Sequence, residues 1–212
     1  EAVEVLRQFK GFSYFTEMSD IINRLEDHVA SARMKTTPVI DFEKNESLKG
    51  LDYLDTIYHA IVNEHPIQLK YRSFKARSAN SFIFYPYLLK EYRNRWFVYG
   101  VRGNGRILQN LALDRIQSLE VLPQEHYIKN TFFDPNTFFD DLVGVTKNTG
   151  SVAEKVGFKV AAAEAPYIIT KPIHRSQQVV ERLADGSVIL EIKVVINHEL
   201  ERVFFRYAEG IQ

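Results

Sequence analysis

The chain has 212 residues, 45% hydrophobic and 25% charged, with 27 basic and 27 acidic side chains and no cysteine. Such a chain buries a real core in one large domain or two small ones. The composition excludes disulfides, thiolate metal sites and cysteine nucleophiles, which suits a reducing cytoplasm, and no apolar run approaches the ~18–20 residues of a membrane-spanning helix.

Residues 1–62 read as helical. The opening EAVEVLRQFKGF is a short amphipathic piece without the basic-then-apolar order of a secretory signal. Lacking an initiator Met, it reads as cut from a longer chain. Ser19 is placed to cap a helix over Asp20–Ser31, where Ile21, Ile22, Leu25 and Val29 recur at helical spacing. TTPVIDF (36–42) reads as an extended connector, because Pro38 bars helix. Leu51, Leu54, Ile57, Tyr58 and Ile61 form another helical stripe that ends at His65-Pro66.

From Ile67 the period becomes two. Ile67, Leu69 and Tyr71 alternate with Gln68, Lys70 and Arg72, as in a half-buried strand. SFKARSANS (73–81) is a polar loop, and FIFYPYLL (82–89) is a second strand in which Pro86 requires an edge or a bulge. A third strand over 95–102 turns at GNG into a fourth over 107–113, and a fifth spans 116–122. Five short, mostly hairpin-linked strands predict a small antiparallel barrel, which removes sheet edges by closure.

A new unit begins at FFDPNTFFDDLVGV (132–145), read as a helix with Asp134 as N-cap, Pro135 at the first helical position and Gly144 as the stop. A strand over 155–161 and a helix over 163–171 follow. Then comes a hairpin of 178–183 and 187–196 through Asp185-Gly186. Asn197 caps a last helix, 198–208, with Leu200, Val203, Phe204 and Tyr207 inward. The order strand-helix-strand-strand-helix predicts a ferredoxin-like unit lacking its final strand. The fold class is therefore α+β, in three parts: a helical connector (1–62), a small barrel (63–130) and the ferredoxin-like unit (131–212).

The zero net charge is unevenly spread. Between Pro66 and Asn130 there are eleven Lys or Arg against four Asp or Glu, a local charge of +7 balanced by −7 elsewhere. Either an anionic partner or a solvated face neutralised by the acidic flanks accounts for this. In the third strand Arg95, Phe97, Tyr99 and Val101 share one face and Trp96, Val98 and Gly100 the other. Guanidinium groups beside aromatic rings pair with phosphate and stack on bases. The candidate ligand residues are Tyr71, Arg72, Lys90, Arg93, Arg95, Trp96 and Arg115. Trp96 also fits a plain core role. Asp114, beside Arg115 at a strand end, fits a role in fixing a loop or holding an arginine.

Signatures of chemistry are not found. GxxxxGK[ST], GxGxxG after a strand, HExxH and GxSxG do not occur, and the six histidines have no ligand spacing. Asp140 and Asp141 are adjacent and diverge on a helix. No enzyme activity, cofactor or metal is expected.

The run from Ile67 to Leu122 resembles a WYL domain. The hallmark triplet stands as Trp96-Phe97-Val98, the family proline as Pro86 in YPYLLKE, and the closing LDRI is intact at Leu113–Ile116. FFDPNTFFDDLVGV, PIHRSQQVV and NHELERVFFRYAEG resemble the extension that often follows such a domain, and the lead-in resembles the segment joining it to a winged helix-turn-helix. The resemblance implies an Sm-like, SH3-type barrel. It implies the ligand-sensing part of a bacterial transcription regulator, cytoplasmic, whose DNA-binding head and operator contacts lie outside this sequence. Its ligand would be anionic, a nucleotide or short single-stranded nucleic acid. Where many relatives carry arginines before LDRI, this chain has Gln109 and Ala112, which removes two phosphate contacts and leaves Arg115 in place. The competing reading is a protein-interaction or dimerisation module without a small ligand. A homodimer is expected, with the aromatic-rich last unit as interface, and no membrane partner.

Overall fold

The structure is a computed structural model and describes residues 49–103, 107–207 and 210–211. The helices expected before residue 49 lie outside the described residues. The chain divides into two compact units between Asn130 and Thr131.

The first unit opens with a 3-10 turn, Leu51–Tyr53, and helix α1, Leu54–Val62. The helical stripe places Leu54, Ile57 and Ala60 fully inside; each large apolar side chain so buried contributes about 1.5–3 kcal/mol. The helix stops by a left-handed residue, Glu64 at φ 53. The His65 and Glu64 amides then donate back to the carbonyls of Ala60 (2.8 Å) and Ile61 (3.2 Å), which caps the orphan carbonyls before Pro66.

Five strands follow: β1 (Ile67–Tyr71), β2 (Asn80–Tyr92), β3 (Arg95–Arg102), β4 (Leu108–Ala112) and β5 (Ile116–Val121). They form an antiparallel sheet in the order β4-β3-β2-β1-β5. The expected closure does not occur: among the described residues no ladder joins β4 to β5, so the sheet keeps two edges. The reason is visible between them. Leu113–Arg115 winds into a 3-10 turn that joins β4 directly to β5 and spends those residues as a corner rather than as paired strand. Pro86 lies in the centre of the sheet, and the register of β2 against β3 shifts between Pro86 and Leu88. A bulge therefore accommodates the residue without an amide hydrogen. Arg93 and Asn94, at φ 51 and 59, form the two-residue turn from β2 to β3, the backbone pattern that matches strand twist. The core gathers Ile67, Leu69, Phe84, Trp96, Val98, Leu111, Leu113 and Ile116 with the buried face of α1.

In the second unit the stretch 132–145 is a run of turns and not the expected helix. Asp134 does accept, from the Asn136 amide at 2.9 Å and, through its carbonyl, from Phe138 at 3.0 Å. The bonds from Asp140 to Thr137 and from Leu142 to Phe139 are then of the tighter i to i−3 kind. Two side-chain ties hold that course: Asp141 to Lys147 at 2.7 Å and Asp140 to Arg175 at 2.5 Å. Strands β6 (Glu154–Val160), β7 (Gln178–Arg182) and β8 (Val188–Val194) form a second antiparallel sheet, ordered β6-β8-β7. Helices α2 (Ala165–Thr170) and α3 (His198–Arg206) complete the unit. Val188, Leu190, Ile192 and Val194 of β8 pack with Ile168, Leu200 and Val203 of the helices. Asn197 caps α3 as the sequence suggested, accepting from the Leu200 amide at 2.8 Å.

His174 is buried in this unit. Its Nδ1 accepts from the Ser176 amide at 3.2 Å and lies 2.7 Å from the Ser176 hydroxyl. Burial, and then the neighbouring Arg175 charge, pull its pKa below the ordinary 6.5. In the unfolded chain the ring takes its proton near 6.5, whereas the folded ring resists it. Folding stability is thus complete above that pH and declines as the pH falls from 6.5 through the folded value. Denaturant titrations at pH 7.5, 6.5 and 5.5 should show this decline, with a slope of at most ~1.4 kcal/mol per pH unit for one proton, and His174→Gln should flatten it.

Candidate functional site

The LDR turn positions the charged residues. Leu113 is fully buried in the first core and fixes the turn. Ala112 pairs with Phe97, so two residues further on Asp114 comes level with Arg95. Arg95 Nε lies 3.3 Å from Asp114 Oδ2, and Arg115 Nε lies 3.9 Å from Asp114 Oδ1. One carboxylate thus serves two guanidinium groups. The Asp114 side chain is 14% exposed, against 26% for Arg115 and 47% for Arg95, so the cations face solvent over a covered anion.

Three further residues complete the cluster. The Arg115 carbonyl accepts from the Arg72 amide at 3.1 Å, which ties the end of β1 to the turn. The Arg72 side chain reaches the Ala76 carbonyl at 3.5 Å. The Tyr71 hydroxyl is hydrogen-bonded by the Ala112 backbone and the Arg115 side chain; burial raises its pKa, partly opposed by Arg115, and keeps it a neutral phenol. The Arg115 guanidinium lies 4.4 Å from the centre of the Phe74 ring, which is 75% exposed. A cation over an exposed aromatic face, beside a second cation, presents charge and a stacking surface together.

The fold therefore brings Tyr71, Arg95 and Arg115 together around Asp114, with Arg72 tied to the same turn through its backbone. Trp96 points the other way, into the core against the buried apolar residues. Arg93 sits in the β2–β3 turn with its guanidinium 5.3 Å from the Tyr92 ring, and Lys90 stands on β2 opposite Phe97. Of the other basic residues, Arg102 covers the Phe82 ring at 4.0 Å and Lys129 pairs with Glu64 at 3.1 Å. Sequence reasoning missed Phe74. Its signal was an isolated aromatic inside the basic polar loop RSFKAR.

Among the described residues no three His, Asp or Glu side chains are placed to hold a metal ion, and no helix is long and apolar enough to cross a membrane.

Residues 52–121 match the family model of the WYL domain. Among solved structures, proteasome accessory factor B/C (PafBC) of Arthrobacter aurescens aligns with 80% of this chain and 25% of its own, at 15% identity and a TM-score of 0.35. The chain thus spans about a quarter of the length of that protein. No curated protein matches the chain.

Proposed function

We propose, on the premise that this chain carries a WYL domain across residues 52–121, that it is the ligand-sensing portion of a bacterial cytoplasmic transcription regulator. It has no catalytic role. Its ligand is anionic, a nucleotide or short single-stranded nucleic acid. The single observation behind this reading is that two guanidinium groups share one covered carboxylate beside an exposed ring. The ligand meets Arg95 and Arg115, with Arg72, Tyr71 and Phe74 around them, and Lys90 and Arg93 extend the charge along the β2–β3 hairpin. Trp96 supports this face from the core.

In this reading residues 1–62 connect to a DNA-binding head that contacts the operator, 63–130 are an Sm-like, SH3-type partial barrel, and 131–212 are a ferredoxin-like extension. The strand order β6-β8-β7 supports the last assignment, as does the antiparallel bridge of Ile211 to Val160 on β6, where a fourth strand belongs.

Thermal melts with nucleotides and short oligonucleotides test the ligand. A ligand at 100 times its Kd stabilises by ~2.7 kcal/mol, and the upward shift in Tm should shrink steeply with added salt. A second reading, a dimerisation module, draws on β7, an edge strand whose five residues are all exposed, Val179 and Val180 among them. No shift with any anion, together with a mass that doubles with concentration in light scattering, would favour that reading.

A further inference from the structure

We infer that Asp114 is a built-in competitor for the anion at this site, and that the turn carrying it passes ligand occupancy to the backbone at Gly50. The inference rests on the anion-site reading above and adds to it a ligand class and a route out of the site.

Asp114 is divided between its partners. It is near Arg95 at 3.3 Å, but 3.9 Å from Arg115 Nε is too long for a hydrogen bond. Asp114 Oδ1 and Arg115 Nε are both buried and have no hydrogen-bond partner among the described residues. The resident carboxylate therefore neutralises one of two cations and satisfies neither fully. An incoming monoanion offers what Asp114 already offers. A phosphate monoester or pyrophosphate brings several oxygens and more than one charge, engages both guanidinium groups in bidentate fashion, and repels the carboxylate beside it. The site thus discriminates toward polyanions.

The other side of the turn is a backbone contact. Gly50 has φ +85, and a Cβ added there would stand 2.5 Å from the carbonyl carbon of Leu113, 2.6 Å from its oxygen and 2.7 Å from the Asp114 amide nitrogen. No side chain cushions the two strands of backbone, so displacement of Asp114 moves Gly50 with it. The Gly50 carbonyl accepts from the Tyr53 amide at 3.2 Å and so starts the turn that leads into α1. Gly50 thus couples the turn at Leu113–Arg115 to the start of α1.

The probe is inorganic pyrophosphate, titrated calorimetrically at low ionic strength, with amide hydrogen exchange followed over residues 51–54. Asp114→Asn should bind about tenfold more tightly, within the range typical of coupled ligands. Pyrophosphate should loosen the 51–54 amides in the unaltered chain, and Asp114→Asn should show the faster exchange without it. The double variant Arg95→Ala/Arg115→Ala is the reference. If the unaltered chain binds and the reference does not, but Asp114→Asn binds no more tightly, the competitor role is overturned and the anion site stands. If the unaltered chain binds no better than the reference, the anion site falls and the inference with it. Should Asp114→Asn fail to fold by circular dichroism, the unaltered chain decides: unchanged exchange over 51–54 at saturating pyrophosphate overturns the inference.

Discussion

Replacing Asn197 by Ala should destabilise the second unit by about 3 kcal/mol, enough to lower its melting transition by more than ~10 °C for a domain of this size. The side chain has three tasks. Its Oδ1 accepts from the Leu200 amide at 2.8 Å, the cap of α3. Its Nδ2 donates to the carbonyls of Val143 and Thr146, both at 2.9 Å, and so staples the loop after the turns to the helix start. Asn197 is 7% exposed, so water does not replace these bonds. Loss of the cap costs ~1 kcal/mol, the buried Val143 carbonyl left without a donor adds ~1–3 kcal/mol, and the part-buried Thr146 carbonyl adds less. Asn197→Ser keeps a cap acceptor and loses the staple, so it should recover only the cap fraction. Urea melts of the two variants separate the contributions.

Gly100→Ala should cost the first unit ~3 kcal/mol or more, at the upper end of overpacking effects. Gly100 stands opposite Pro86, where β2 bulges against β3. A Cβ there would lie 2.1 Å from the Tyr85 carbonyl oxygen and 2.6 Å from the Phe84 ring. A rotamer change could move the ring, but the carbonyl belongs to the ladder itself. Relief requires shifting β2 from β3, and Phe84 is fully buried at the centre of the core. Denaturant unfolding followed by fluorescence of Trp96, on the same strand β3, reports the change directly.

What the sequence reveals and what it hides divide by range. The cap at Asn197 and the turn at Asp185-Gly186 are legible because each is set within a few residues: the Ser187 amide donates to Asp185 Oδ1 at 2.9 Å, as the turn chemistry requires. Strand alternation likewise separates Trp96 and Val98 from Arg95. Closure of the sheet is not local. It depends on whether the residues between β4 and β5 pair or turn, and Leu113–Arg115 turns because Leu113 is drawn into the core. The stretch 132–145 misleads for a similar reason. Asp134-Pro135 is a good helix start, but distant partners, Arg175 for Asp140 and Lys147 for Asp141, favour successive turns. At the site, the basic excess identifies the segment but not the arrangement. Arg95 and Arg115 are twenty positions apart in sequence and meet only through Asp114. Phe74 meets Arg115 only through the fold of a loop.

The most direct test of the account compares the unaltered chain with Arg95→Ala/Arg115→Ala for binding of a fluorescent short single-stranded oligonucleotide across a salt series. Two charge-assisted contacts at ~1.5 kcal/mol or more each amount to about a 100-fold loss of affinity. The slope of log K against log salt should become shallower by ~0.7 for each phosphate contact removed. Equal affinity and equal slope in the two proteins would contradict the claim that these guanidinium groups form the ligand site.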